Sequence, residues 1–172
     1  MRTLIIITCS LVYFCSFYTT NIQDFGYSIS DGHLANRVMY AFIHTNIVHL
    51  VANMLSFYFL YKTSLLLVAR KVLNIAILIT IPLVTLGTAG VLPTIGLSGV
   101  CFFLFGILFS ANPKGLLYYV VLSVAVHVAY FLLGYNVNIL VHITGFSYGF
   151  FFYKLYNTYT NYDKGRKITR AS

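Results

Sequence analysis
The chain has 172 residues, of which 59% are hydrophobic and 8% charged, and its formal net charge is +8. Water-soluble domains run at about 45–50% apolar and about 25% charged, which excludes a soluble globular fold here. A nucleic-acid module is excluded as well, because no basic run is long enough to follow a phosphate backbone.

A helix needs ~20 apolar residues to cross a ~30 Å hydrocarbon core. Six apolar runs predict spans at roughly 3–20, 40–61, 72–92, 97–111, 115–134 and 136–156. The breaks between them hold most of the charge and the turn chemistry, including Leu92-Pro93-Thr94-Ile95-Gly96 and Asn112-Pro113-Lys114-Gly115. The expectation is an all-α membrane protein, with a six-span domain over 1–160 and a basic cytoplasmic tail over 161–172. Met1-Arg2 before a short apolar core also suits a signal peptide, but no small-x-small cleavage site follows, so the run is assigned as a span.

Orientation follows from lysine and arginine. With a cytoplasmic N-terminus, Arg2, Lys62, Arg70, Lys71, Lys114, Lys154, Lys164, Arg166, Lys167 and Arg170 all lie inside, and only Arg37 lies outside. Both termini are therefore expected in the cytoplasm. Cys9, Cys15 and Cys101 fall within spans and read as packing residues, not as a disulfide framework.

Polar side chains inside a span are expensive and count as site candidates. The second span opens with His44-Thr45-Asn46-Ile47-Val48-His49 and continues to Asn53. The fourth opens with Gly96-Leu97-Ser98-Gly99, and the sixth carries His142-Ile143-Thr144-Gly145 and Gly149. Counted at ~1.5 Å per residue from their inner ends, His49, Ser98 and His142 all sit about 20 Å up, at one depth in the membrane. The fourth helix, from Ser98 to Ala111, is too short to cross. Its N-terminus must lie within the membrane, beside a pocket that water reaches from outside. The free N–H groups at such a helix start suit an oxyanion. Gly145 and Gly149 form a small-residue stripe that permits close helix approach, which a Ser98–His142 hydrogen bond requires.

These motifs resemble the signature of the rhomboid intramembrane serine proteases: H-x-x-x-x-H-x-x-x-N on the second span, G-x-S-G on the fourth and H-x-x-G-x-x-x-G on the sixth. The resemblance covers essentially the whole chain and implies the bacterial-type minimal bundle of six transmembrane helices. It implies Ser98 as nucleophile, His142 as general base, and His49, Asn53 and the Ser98 backbone N–H as oxyanion donors. His44 would be an auxiliary histidine near the mouth, with Gly96, Gly99, Gly145 and Gly149 as close-packing positions. Phe102 stands where a tyrosine often lies beneath the base, so the stack survives and the hydroxyl is lost. The arginine often found eight residues before the first histidine is shifted, with Asn36 at that spacing and Arg37 one later. The first loop is short and lacks tryptophan.

The implied activity is endoproteolysis of transmembrane segments of membrane proteins near the outer face of a bacterial inner membrane. It needs no cofactor, no metal and no nucleic acid. The alternative is a catalytically inactive relative that binds membrane proteins in quality control. Plainer readings stand beside these: Ser98 alone is a helix N-cap, and His49 with Asn53 is a helix-packing pair. His127 reads as an interhelical partner and His33 as a loop residue. The inventory excludes other proteases: there are no aspartates within spans, no glutamate for H-E-x-x-H, and no acid placed for a triad. A bis-histidine haem protein is a further class, testable by a visible spectrum.

Overall fold
Asn46 sets the start of the longest helix before the site. Its backbone is extended, and its side-chain oxygen accepts the His49 N–H at 2.8 Å, capping the helix Ile47–Ser64. The computed structural model describes residues 1–16, 26–28, 34–87, 94–114, 117, 121, 124 and 138–171. Among them the α-helices are α1 (Arg2–Ser16), α2 (Asn36–Met39), α3 (Ile47–Ser64), α4 (Arg70–Leu83), α5 (Ser98–Ala111) and α6 (Ile139–Ala171). Short 3-10 turns, Tyr40–Phe42 and Val84–Gly87, continue α2 and α4. Pro82 lies in the last turn of α4, where its missing N–H favours the tighter turn that follows. The described β structure is one antiparallel bridge, Tyr27 to Thr94.

Helix α5 is the centre of the core. Val100, Phe103, Leu104 and Ile107 are buried along it, together with Phe57 from α3, Leu73 and Ile77 from α4, and Val141 from α6. Its partnership with α6 rests on glycine. Seen from α6, Gly145 lies against the Gly99 carbonyl and Gly149 against the Phe103 carbonyl, while Gly106 of α5 lies against Phe146 of α6. A methyl group at any of the three would strike backbone, so the two main chains touch directly. Polar clasps complete the frame. The Tyr40 hydroxyl donates to the Ile81 carbonyl at 2.8 Å, and that of Tyr61 to Asn74 Oδ1 at 2.7 Å. The Tyr156 hydroxyl oxygen accepts the Ala69 N–H at 3.2 Å, just before α4 begins.

The all-helical expectation holds, but the rhomboid-type bundle of six transmembrane helices is not what the structure shows. Among the described residues, one helical stretch, Arg70–Gly87, is long and apolar enough to cross a membrane. A second qualifies only if Asn36–Phe42 and Ile47–Ser64 are joined, and these are bent by 95° at their break. The reason is physical. Counting spans from apolar runs treats each run as one straight rod. The second run breaks at Ile43, where the backbone turns extended, and restarts at the Asn46 cap. Over the described residues, α1 and α5, with 15 and 14 residues, cover about 21–23 Å at ~1.5 Å per residue. Helix α6 has 33 residues, but His142, Thr144, Ser147 and Lys154 interrupt its apolar run, and it continues unbroken past residue 160. The fifth expected span, apart from 117, 121 and 124, lies outside the described residues. So do Asp24, Asp31, His33 and His127.

The glycine seam predicts that Gly149→Ala lowers thermal stability by about 1–3 kcal/mol, the usual cost of overpacking. Thr158→Ala, at an exposed position, should leave the melting temperature unchanged. Equal melting temperatures for all three proteins would show that the seam can open freely.

Candidate active site
The chain reaches α5 through a turn that only glycine makes without strain. Gly96 has φ of +102°, and its N–H donates to the Tyr40 carbonyl at 2.8 Å. Leu97 then takes the N-cap position with no side-chain cap bond, and Ser98 is the first helical residue. Ser98 is therefore not the cap of its helix. Its hydroxyl reaches across to α6 instead, where Ser98 Oγ and His142 Nε2 are 2.8 Å apart.

Packing from both helices restrains the His142 ring. Gly145, one turn further along α6, brings its backbone onto α5. Phe102, one turn after Ser98 on α5, stacks flat on the imidazole with centroids 4.4 Å apart and planes within 11°. His142 is 9% exposed and Ser98 is half-buried, so the pair sits in a largely desolvated place with the hydroxyl still reachable.

His49 and Asn53 lie one turn apart on α3 and approach the Gly96 turn from the other side. A Cβ on Gly96 would lie 2.7 Å from His49 Nε2 and 3.6 Å from Asn53 Nδ2. The glycine thus admits both side chains next to the start of α5. Thr45 Oγ1 lies 3.5 Å from His49 Nδ1, and a proton donated there leaves Nε2 as the N–H that faces the turn. Asn53 Nδ2 donates one hydrogen to the His49 carbonyl at 2.9 Å and keeps a second. The Cys101 thiol approaches the Asn53 carbonyl at 3.7 Å and ties α5 to α3. At the start of α5, the Val100 and Cys101 amides bond back to Leu97, whereas those of Ser98 and Gly99 make no backbone bond among the described residues.

The structure thus brings together Ser98, His142, Phe102, Gly96, Gly99 and Gly145, with His49 and Asn53 beside them. Gly149 belongs to the deeper part of the seam. His44, expected near the mouth, is instead buried at 1% exposure. Its ring meets His49 edge-on with centroids 5.0 Å apart. Among the described residues, no three His, Cys, Asp or Glu side chains gather as a metal site. Sequence reasoning passed over Asn46, Thr94 and Asn138. The signal for Asn46 and Asn138 was an asparagine just before an apolar helical run, the usual mark of a cap.

No family model matches the chain, and no curated protein matches it. What the arrangement can do therefore follows from its chemistry. A hydroxyl bonded to an imidazole can serve as a nucleophile with its base, and the His49 and Asn53 side chains lie against the Gly96 turn two residues before it.

Gly96→Ala should cost about 1–3 kcal/mol of stability, because a side chain at that φ is strained and its methyl would collide with His49. Thermal unfolding against wild type measures it. An unchanged melting temperature would mean that the turn readily adopts another conformation.

Proposed function
We propose that this chain is a serine endopeptidase of the rhomboid kind, cutting membrane-embedded polypeptide with Ser98 and His142. The observation that carries the reading is the 2.8 Å contact between Ser98 Oγ and His142 Nε2 with Phe102 stacked beneath the ring. In this mechanism Ser98 Oγ attacks the scissile carbonyl carbon as its proton passes to His142 Nε2. The negative oxygen of the tetrahedral intermediate accepts from the Ser98 N–H, from His49 Nε2–H and from the spare hydrogen of Asn53 Nδ2. His142 then returns the proton to the leaving amine, and water hydrolyses the acyl-enzyme by the same path.

A membrane location is part of the proposal. Leu4, Ile7, Leu11 and Phe14 on α1, Val48, Val51, Leu55 and Phe59 on α3, and Ile75, Leu78 and Ile79 on α4 are all exposed. An apolar exterior on three helices is unfavourable in water and suits lipid. Substrates on this reading are transmembrane segments, opened locally near the outer face so that the serine can reach the peptide bond. Backbone freed from its helix costs several kcal/mol in hydrocarbon, and the polar donors beside Ser98 offset part of that.

The test uses purified protein in detergent, a fluorophosphonate probe and a panel of tagged single-pass proteins. Wild type should be labelled on Ser98 and should cleave at least one panel member. Ser98→Ala and His142→Ala should abolish both activities while the melting temperature holds. Full cleavage by either variant would end the reading.

Asn53→Ala should retain labelling on Ser98 but lose about 10²–10³ in kcat, the usual effect of removing one oxyanion donor. A raised KM with unchanged kcat would assign Asn53 to substrate binding instead.

A further inference from the structure
Ser98 and His142 sit on different helices, and the glycine seam joins those helices backbone to backbone from Gly145 onward. Beside His142, Val141 and Val84 pack on Gly99, and Leu140 and Thr144 lie against Gly87, contacts without a fixed direction. A small roll of α6 would still carry His142 Nε2 away from Ser98, and a directional tie above the histidine would oppose it.

The structure has one. Asn138, the residue before α6, donates from Nδ2 to Thr94 Oγ1 at 2.8 Å. Its Oδ1 accepts the Val141 N–H at 3.4 Å, in the first turn of α6 and next to His142. Thr94 is itself fixed. It is buried, and it exchanges both backbone bonds with Tyr27, N to O at 3.0 and 2.7 Å. Four residues after Thr94 comes Ser98, by way of Gly96, whose N–H is held by the Tyr40 carbonyl. One amide side chain therefore links the start of the base's helix to the anchored segment that delivers the nucleophile. Asn138 lies one helical turn before His142 and Gly145 three residues after it, so the base is clamped from both sides.

We propose that Asn138 is a positioning residue for the Ser98–His142 pair, acting through the Thr94 hydroxyl. This role rests on the endopeptidase reading above. It concerns the alignment of the pair, not the folding of the chain, so its effect belongs in kcat per active site.

Thr94→Val separates the two possibilities. It keeps the β-branched shape and leaves Asn138 capping α6, but it removes the acceptor. Active sites are counted by fluorophosphonate titration in detergent, and kcat and KM are measured on a tagged single-pass substrate. Thr94→Val should lose tenfold or more in kcat per titrated site with KM unchanged, since a misplacement on the order of 1 Å can cost ~10²-fold. Thr94→Ser, which restores the hydroxyl, should recover wild-type turnover. Asn138→Ala should show a similar loss, and the double variant should lose less than the product of the two single effects. Wild-type kcat per titrated site in Thr94→Val would overturn the proposal, as would an equal loss in Thr94→Ser. If wild type neither labels at Ser98 nor cleaves, the endopeptidase reading falls and the positioning role with it. If wild type does both and Thr94→Val is unaltered, only the positioning role falls.

Discussion
Direct contact between the backbones of α5 and α6 is the constraint on which the rest of this structure depends. Where two helices are kept apart by side chains, their axes lie 8–10 Å or so apart, and a serine on one cannot easily meet a histidine on the other. Here Gly99, Gly106, Gly145 and Gly149 remove the spacers. The hydroxyl of the smallest nucleophilic alcohol is then long enough to bridge the gap. Glycine lowers helix propensity by about 1 kcal/mol relative to alanine, so the seam is built from residues that weaken each helix taken alone. Packing between the helices has to offset that.

The second theme is orientation without carboxylates. In a serine–histidine–aspartate site the acid holds the imidazole in place and fixes its tautomer. This chain has three aspartates and no glutamate. A flat aromatic face, Phe102, lies on the His142 ring and restrains its plane by contact area. A neutral hydroxyl, Thr45, lies 3.5 Å from His49 Nδ1. Packing and dipoles do here what a buried charge does elsewhere, and they avoid the cost of desolvating an ion.

Much of the site was legible in the sequence because its parts lie on regular elements with regular periods. His49 and Asn53 share a helix face by simple i, i+4 spacing. The start of α5 at Ser98 was announced by the glycine and proline that precede it, and the close approach by Gly145 and Gly149. Span counting fared worse. Hydropathy averages over residues and cannot see that Ile43 turns extended, or that a short α2 meets α3 at 95°. Nor could it show His44 turned inward, since a buried and an exposed histidine look alike in a string of letters. The Asn138–Thr94 bond joins residues 44 apart, and nothing local announces which partner a capping asparagine will find with its other end.

That same separation recurs between Ser98 and His142, which are also 44 residues apart. The ribosome therefore makes Ser98 well before His142. Until α6 emerges and docks, Ser98 lacks the His142 imidazole, and the Ala69 amide also waits for Tyr156. Contacts of such long sequence separation form late. On the endopeptidase reading proposed above, a half-made chain is thus chemically silent. The serine would gain its base only from the last described helix to arrive, at the moment when the fold around it is complete.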